Sequence, residues 1–271
     1  MTQKDIFDIA LKQSAADCSC SPEDFLRTEH VVTEARPNPS ARRDRPNPPL
    51  CRLVSFGSNI VAACRKDLIP DVTAYVNSQS AHYRCFETPY IYELNKALEK
   101  AGMRVYKAHS AFLPDLEAVF GADLSCAYET RVLHPEDFTD LYVPAWGNAL
   151  CADRKQLDML GAGAYDGGKL IGLAGCSADG DEMWQIGIDV LPEYRRKGIA
   201  AAVTSRLAIE ILKKDKVPFY CCAWCNLASA RNAVKAGFRP AWTEMDVRSL
   251  ALIEAMNTAR TQDIFVREDE P

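Results

Sequence analysis

The sequence predicts a mixed α/β fold in two domains, and three observations support this prediction. The chain has 271 residues, which is more than one typical domain needs. Its C-terminal half alternates between β-rich runs and helical periodicity, whereas residues 36–49 form a loop with five prolines. Pro135 and Pro144 punctuate the segment between the halves. We therefore expect a smaller N-terminal α/β domain over residues 1–135 and a second domain with a mixed sheet over residues 136–271.

Composition and charge narrow the class of protein. The chain is 48% hydrophobic and 25% charged, as is typical of globular proteins. Its net charge of -5 argues against a nucleic-acid partner, because proteins that bind phosphate backbones usually carry a basic excess. The N-terminus carries Asp5 and Asp8 instead of the basic start of a secretory signal, and no segment has 18 consecutive apolar residues. We expect a cytoplasmic protein without membrane or nucleic-acid partners.

The eleven cysteines raise the question of a metal or disulfide site. Cys18 and Cys20 form one close group, and Cys221, Cys222 and Cys225 form another, but neither has a second half at zinc-site spacing. Several other cysteines lie inside apolar runs, where cysteine behaves as a small hydrophobic residue. We therefore expect buried, reduced thiols and no metal.

The N-terminal half contains elements of both types but no motif that carries chemistry. Its expected elements are helices at residues 3–16, from residue 22, at 69–78 and at 89–101, a hairpin at 51–64 and a strand at 104–108.

The C-terminal half has a more regular pattern. Turn signals at residues 166–168 and 178–181 separate three β-rich runs, which predicts an antiparallel meander. A long helical segment, a buried strand, a short helix ended by Gly237 and a last strand follow. The expected order is therefore β-β-β-α-β-α-β. Its elements are strands at 157–165, 170–176 and 183–190, a helix at 196–214, a strand at 218–224, a helix at 228–236 and a strand at 238–247.

The junction of the third strand and the long helix has the features of an anion site. Free N–H groups at a helix start, with the helix dipole behind them, can bind a pyrophosphate. Gly198 and Ala200 have little side chain to block such a ligand. Arg195, Arg196 and Lys197 add positive charge beside it.

This junction resembles the [Q/R]-x-x-G-x-[G/A] signature of the GNAT superfamily of N-acetyltransferases, in the form Arg195-x-x-Gly198-x-Ala200. A second family element follows as Asn226-x-x-Ser229, with Gly237 eleven residues after the asparagine. The unaltered run Leu-Pro-Glu-Tyr-Arg at 191–195 is similar to the glycine N-acyltransferase-like branch. That branch pairs a degenerate GNAT-like half with an active C-terminal half, which implies the same arrangement here.

The resemblance implies a GNAT acyl-CoA N-acyltransferase fold in the C-terminal half, with acetyl-CoA as co-substrate. It implies that the main chain of Ile188 and Val190 bonds the pantetheine amides like an added strand. Asn226 either bonds the pantetheine as well or only caps the next helix. The phosphates would lie at the turn formed by Arg195, Arg196, Lys197, Gly198, Ile199 and Ala200.

The catalytic base does not follow directly from the resemblance. Many family members carry a glutamate on the third meander strand, and Trp184 occupies that position here. Glu182 lies two residues earlier and so on the same strand face, which makes it the first candidate, with Asp189 second. Another glutamate position of the family is Cys221 in this chain.

The proton donor for the leaving thiolate also departs from the family pattern. Many members carry a tyrosine seven residues after the asparagine, and that residue is Ala233 here. Tyr220, Cys222 and Cys225 lie nearby in sequence, and the choice among them stays open.

The expected activity is acetyl transfer from acetyl-CoA to the amine of a small molecule such as an amino acid, by direct attack in a ternary complex. One alternative is a non-catalytic acyl-CoA-binding regulatory protein, and another is a protein N-acetyltransferase. The acceptor and the acyl length stay open. So does the use of the N-terminal half as a lid, as a homodimer surface or as scaffold.

Overall fold

The computed structural model describes residues 1–121 and 125–258, which form two compact units. The larger unit combines Met1–Ser14, Pro39–Asp44 and His109–Trp242. The smaller unit combines Ala15–Asn38, Arg45–Ala108 and the described residues from Thr243 onward.

This division differs from the predicted boundary at residues 135 and 136. The prolines that suggested the boundary begin short 3-10 helices inside the larger unit, at Pro135–Leu141 and Pro144–Trp146. The chain instead changes unit inside the helix Gln3–Cys18, on both sides of Pro39–Asp44, and within two long strands, Met103–Pro114 and Phe238–Ser249. Strand pairing joins residues far apart in sequence, so local turn signals could not locate this division.

Six helices and ten strands form the framework of the described residues. The helices are α1 (Gln3–Cys18), α2 (Ile69–Asn77), α3 (Thr88–Glu99), α4 (Leu116–Gly121), α5 (Ile199–Leu212) and α6 (Leu227–Lys235). The strands are β1 (Val31–Glu34), β2 (Cys51–Ser55), β3 (Val61–Cys64), β4 (Met103–Pro114), β5 (Glu129–Leu133), β6 (Asp158–Asp166), β7 (Lys169–Ser177), β8 (Met183–Val190), β9 (Val217–Ala223) and β10 (Phe238–Ser249).

The larger unit contains a mixed sheet with strands in the order β4-β9-β8-β7-β6-β5. Strands β5 to β8 form an antiparallel meander, and β8 then pairs in parallel with β9. The predicted order β-β-β-α-β-α-β is confirmed for β6 to β10, and β5 adds a strand that the sequence analysis missed. The parallel β8–β9 connection runs through α5, as a crossover connection requires.

Helix α5 packs on the meander through an apolar surface. Ile199, Val203, Leu207 and Ile211 recur every four residues and are at most 1% exposed. Residues four apart lie on one helix face, so this spacing directs a continuous apolar stripe toward the sheet. The helix therefore starts at a fixed place beside the end of β8.

The smaller unit has its own sheet and core. Strands β1, β3, β2 and β10 are adjacent in that order, and β1 pairs in parallel with β3. Helices α2 and α3 contribute Val72, Leu94 and Leu98 to a buried apolar cluster. The predicted hairpin at 51–64 is confirmed as β2 and β3, whereas β1 was not predicted.

A buried group of charges accompanies this core. The Arg52 Nε donates to Asp246 Oδ1 over 2.8 Å, and Arg45 is paired with Glu244. All four side chains are at most 5% exposed. Burial raises the pKa of the Asp246 carboxyl, but Arg52 and Arg45 outweigh it and hold that pKa below its ordinary value of 3.8.

All eleven cysteines are free thiols, and six of them are buried. The expected burial of the cysteines inside apolar runs is confirmed for most of them. Cys225 is exposed and lies in a turn beyond β9. Within residues 1–121 and 125–258, no helix is long and apolar enough to cross a membrane.

Candidate active site

A cleft opens where β8 and β9 separate. The two strands are paired from Met183 and Val217 to Ile186 and Tyr220. Beyond that point β8 stays paired with β7 as far as Val190. The gap that results belongs to a cleft of about 640 Å³. A strand edge without its neighbour offers N–H and C=O groups that an extended ligand can bond.

Strand geometry gives the identity of those groups. The Leu191 N–H donates to the carbonyl of Ile171 on β7 over 3.0 Å. Since successive residues of a strand point their backbone groups to opposite edges, Ile188 and Val190 point theirs into the cleft. A side-chain hydrogen bond is consistent with this direction of the Val190 carbonyl, because the Arg195 Nε donates to it over 3.1 Å. Ile188 and Val190 both line the cleft, and the pantetheine contact expected of them stays a prediction.

The start of α5 lies at one end of the same cleft. Its N-cap is Gly198, in the left-handed region at a φ of 81°, which favours glycine. The first helical bond runs from the Ala202 N–H to the Gly198 carbonyl, and no described side chain caps the start. The N–H groups of Ile199, Ala200 and Ala201 consequently have no partner within the helix. Such a helix start attracts anions.

Three basic side chains precede this helix start, and Arg195, Arg196 and Lys197 are all exposed. The Lys197 Nζ lies 4.8 Å above the ring of Tyr194 and 3.4 Å from the Tyr128 hydroxyl. The aromatic contact, a cation–π interaction, holds the lysine at the rim. The two tyrosines were not identified from the sequence, although Tyr194 stood inside the quoted Leu-Pro-Glu-Tyr-Arg run.

The residues predicted to form the phosphate-binding turn do not all face the cleft in the same way. Ala200 lines the cleft, as does Arg195. Ile199 is 1% exposed, so its side chain belongs to the core and only its N–H can face a ligand. The combination of a free strand edge, free helix amides and basic side chains suits an extended ligand with an anionic end.

Asn226 lines the cleft and is the N-cap of α6. Its Oδ1 accepts the Ser229 N–H over 3.1 Å. The capping role, one of the two alternatives for this residue, is therefore present in the structure. The side-chain amide still carries two N–H donors, so capping does not prevent a contact with a ligand.

Asp189 holds one wall of the cleft in place. Its carboxylate accepts the Asn148 N–H over 2.8 Å, the Asn148 side-chain amide over 2.6 Å and the Ala149 N–H over 3.0 Å. Three N–H donors thus engage this carboxylate. Its position therefore supports a structural role for Asp189, in place of the role of base that the sequence suggested.

Glu182 lies away from the cleft, which corrects the first choice of base. It precedes β8, at the end where β8 and β9 are paired, and its carbonyl accepts the Val217 N–H. Its carboxylate bonds the Lys12 Nζ over 2.8 Å, with 46% of the side chain exposed. Glu182 lies two residues before Trp184 and therefore shares its strand face. It lies about 6.6 Å farther along the strand, away from the opening.

A smaller polar recess of about 130 Å³ adjoins the cleft. Asn148, Gln185 and Gly187 line both spaces. The recess also contains Asp158 and Asp179, which are 2% and 1% exposed. Burial raises the pKa of both carboxyls. Acids with raised pKa values are common where protons are transferred.

Gly187 allows the segment carrying Asn148 to lie directly on β8. A Cβ at Gly187 would come within 1.8 Å of the Asn148 carbonyl oxygen. We expect Gly187→Ala to displace this segment and to lower the free energy of unfolding by about 1–3 kcal/mol, as overpacking typically does. Urea unfolding of parent and variant measures this loss. Gly147→Ala is the control, because its Cβ would meet only ordinary contact at 3.5 Å. Equal stability of all three proteins would contradict the close approach.

The family model described as GNAT acetyltransferase matches residues 89–243, more than half of the chain. No curated protein matches. Among solved structures, a GCN5-related N-acetyltransferase-like protein from Streptococcus suis is 20% identical over 58% of this chain and 67% of its own, with a TM-score of 0.44. A GCN5-related N-acetyltransferase from Kribbella flavida is 14% identical over 58% and 63%, with a TM-score of 0.46. A GNAT-family acetyltransferase from Colwellia psychrerythraea is 17% identical over 58% and 62%, with a TM-score of 0.40. The matches therefore span only 62–67% of the length of these relatives.

Proposed function

The chain belongs to the GNAT acetyltransferase family, and from this premise we propose that it transfers an acetyl group from acetyl-CoA to the amine of a small molecule such as an amino acid. One observation carries the proposal. The free edge of β8 and the uncapped start of α5 meet at a single cleft.

The residues of the cleft fit acetyl-CoA in both of its chemical parts. The pyrophosphate is an anion, and it matches the free amides of α5 and the charges of Arg195, Arg196 and Lys197. The pantetheine arm carries two amides, and the backbone groups of Ile188 and Val190 offer them strand-like hydrogen bonds. Because the Arg195 Nε now bonds the Val190 carbonyl, we expect this side chain to turn toward the phosphates when acetyl-CoA binds.

The reaction is a direct attack of the acceptor nitrogen on the thioester carbonyl. A C–N bond forms, the C–S bond breaks with its electron pair on sulfur, the nitrogen loses a proton and the sulfur gains one. The nitrogen must be deprotonated first, which calls for a base near the acceptor. In this proposal the acceptor enters beside Asn148 and Gln185, where Asp158 and Asp179 lie in the adjoining recess.

The size of the recess supports a small acceptor. A space of about 130 Å³ holds only a few heavy atoms, and residues 147–151 form part of its lining. Its polar lining, which includes Asp158 and the Gln185 amide, suits a small polar group. These features favour a compact amine over a protein N-terminus.

Turnover separates this proposal from its rival, a non-catalytic acyl-CoA-binding protein. Release of free CoA, followed with a thiol reagent across a panel of amino acids and small amines, is expected for at least one acceptor. Acetyl-CoA binding without CoA release for any amine or peptide would favour the regulatory protein. Release with peptides alone would favour protein acetylation.

The position of Glu182 leads to a further expectation. Since its partly exposed carboxylate is paired with Lys12 and lies outside the cleft, we expect Glu182→Gln to leave the turnover number within about twofold of the parent. A general base typically contributes about 10²- to 10⁴-fold. A loss of tenfold or more at neutral pH, with unchanged acetyl-CoA affinity, would return Glu182 to the role of base.

A further inference from the structure

Two hydroxyl groups meet at the inner end of the cleft. The Tyr220 hydroxyl and the Ser229 Oγ lie 2.7 Å apart, and both residues line the cleft. Tyr220 is on β9 and 2% exposed, whereas Ser229 is on the first turn of α6 and more accessible. Neither the capping of α6 by Asn226 nor the strand pairing uses these hydroxyl groups.

Their place in the cleft is next to the expected position of the sulfur. A ligand with its phosphates at the start of α5 extends along the free edge of β8, from Val190 toward the point where strand pairing resumes. That point is the pair of Ile186 and Tyr220. The reactive end of the pantetheine arm therefore faces the end of the gap at which Tyr220 and Ser229 meet.

The leaving thiolate needs a proton, and α6 lacks a tyrosine to supply it. Ala233, one helical turn after Ser229, is completely buried and carries no donor. The Tyr220 hydroxyl approaches the same helix from the strand side, where it contacts Ser229 and Asn232. A hydroxyl from β9 thus lies beside the helix face that carries Ala233.

We propose that Ser229 donates the proton to the CoA thiolate. In this proposal Tyr220 positions the Ser229 hydroxyl and returns a proton to it. As the C–S bond breaks, the Ser229 hydroxyl proton moves to sulfur and the Tyr220 hydroxyl proton moves to the Ser229 Oγ. The Tyr220 phenolate then takes up a proton from water, which balances the proton that the acceptor nitrogen releases. This inference rests on the acetyl transfer proposed above.

The Tyr220 hydroxyl carries its proton before the thiolate forms. Burial raises the pKa of the Tyr220 hydroxyl, so it stays protonated at neutral and mildly alkaline pH. Cys222 is the competing donor, since it also lines the cleft, and burial raises the pKa of its thiol.

The first test needs no acceptor. Binding of CoA and of desulfo-CoA is measured by calorimetry at pH 7 and at about pH 9.5, above the value of roughly 8.5 for an alkyl thiol such as that of cysteine. A hydroxyl donor to a thiolate should favour CoA by about tenfold at the higher pH, because hydrogen bonds to charged groups are strong. Ser229→Ala should lose this preference, and Ser229→Thr should keep it.

The outcomes distinguish failure of the proposed function from failure of the donor role of Ser229. If neither ligand binds the parent, the proposed function fails. If both bind the parent equally at the higher pH, or if Ser229→Ala keeps the preference, the donor role of Ser229 is overturned while the cofactor site stands. If Cys222→Ala loses the preference and Ser229→Ala does not, the thiol is the donor and the proposal is also overturned.

The second test uses the fastest acceptor from the amine panel. Ser229→Ala should lower the turnover number by about 10²-fold, as loss of a general acid does, with an unchanged KM for acetyl-CoA. Tyr220→Phe should lower it less and should change the alkaline side of the pH profile. Two matched controls remove buried hydroxyls that bond carbonyls elsewhere: Ser205→Ala, which loses a bond to Ala236, and Tyr75→Phe, which loses one to Cys85. Equal losses in Ser229→Ala and Ser205→Ala would show a structural effect only.

Discussion

Gly198→Glu is expected to weaken acetyl-CoA binding at least about 100-fold, because it removes two or more charge-assisted hydrogen bonds at the phosphates. The added carboxylate would lie at the N-cap of α5, where the helix start attracts anions. It would repel the pyrophosphate and neutralise part of the charge of Arg195, Arg196 and Lys197. Calorimetric titration with acetyl-CoA measures the change.

A matched substitution separates charge from backbone strain. Gly102 has a φ of 70° and, like Gly198, has open space around its Cβ position. Gly102→Glu therefore brings similar strain at a residue that does not line the cleft. We expect its affinity for acetyl-CoA to equal that of the parent. Unchanged affinity in a folded Gly198→Glu protein would remove the phosphate site from α5.

Asp246→Asn is expected to have the largest effect on stability. Removal of one partner from a buried ion pair leaves the other charge uncompensated and typically costs about 3–5 kcal/mol. Here the charge left behind is Arg52, which is 2% exposed, because Arg45 keeps its pair with Glu244. Urea unfolding followed by far-ultraviolet circular dichroism measures the loss at pH 7.

The buried pair of Asp246 and Arg52 also makes the stability of the protein depend on pH. The pKa of Asp246 in the folded protein lies below its ordinary value of 3.8. Its contribution to stability is therefore complete above that value and is lost as the pH falls through the lower, folded-state pKa. The difference between parent and Asp246→Asn should persist down to about pH 4 and shrink below it. Asp67→Asn, which breaks the exposed pair with Arg65, should change stability far less, and equal losses in the two variants would contradict the account.

The sequence was most informative where function depends on local backbone. The turn before α5 and the apolar stripe of α5 are both local, and the predicted strand, turn and helix are all present. The exposure of the Ile188 and Val190 backbone was expected from the resemblance to the GNAT superfamily, not from the local sequence. It follows from the separation of β8 and β9, whatever the side chains are.

The sequence was least informative where the site depends on contacts between distant segments. The bonds of Asp189 to Asn148 and Ala149 cross about forty residues, and nothing near Asp189 indicated them. Glu182 was chosen by strand alternation alone, which says nothing about the end of the strand at which the cleft opens. The meeting of Tyr220 with Ser229 likewise needs the relative positions of β9 and α6.

Hydrogen–deuterium exchange with and without acetyl-CoA tests the central claim most directly, because the claim concerns backbone N–H groups. The account predicts slower exchange in peptides that cover Gly187–Val190 of β8 and the first turn of α5, with little change in α2 and α3. If acetyl-CoA binds and these two segments exchange as fast as in the free protein, the cofactor lies elsewhere and the assignment of the cleft is wrong.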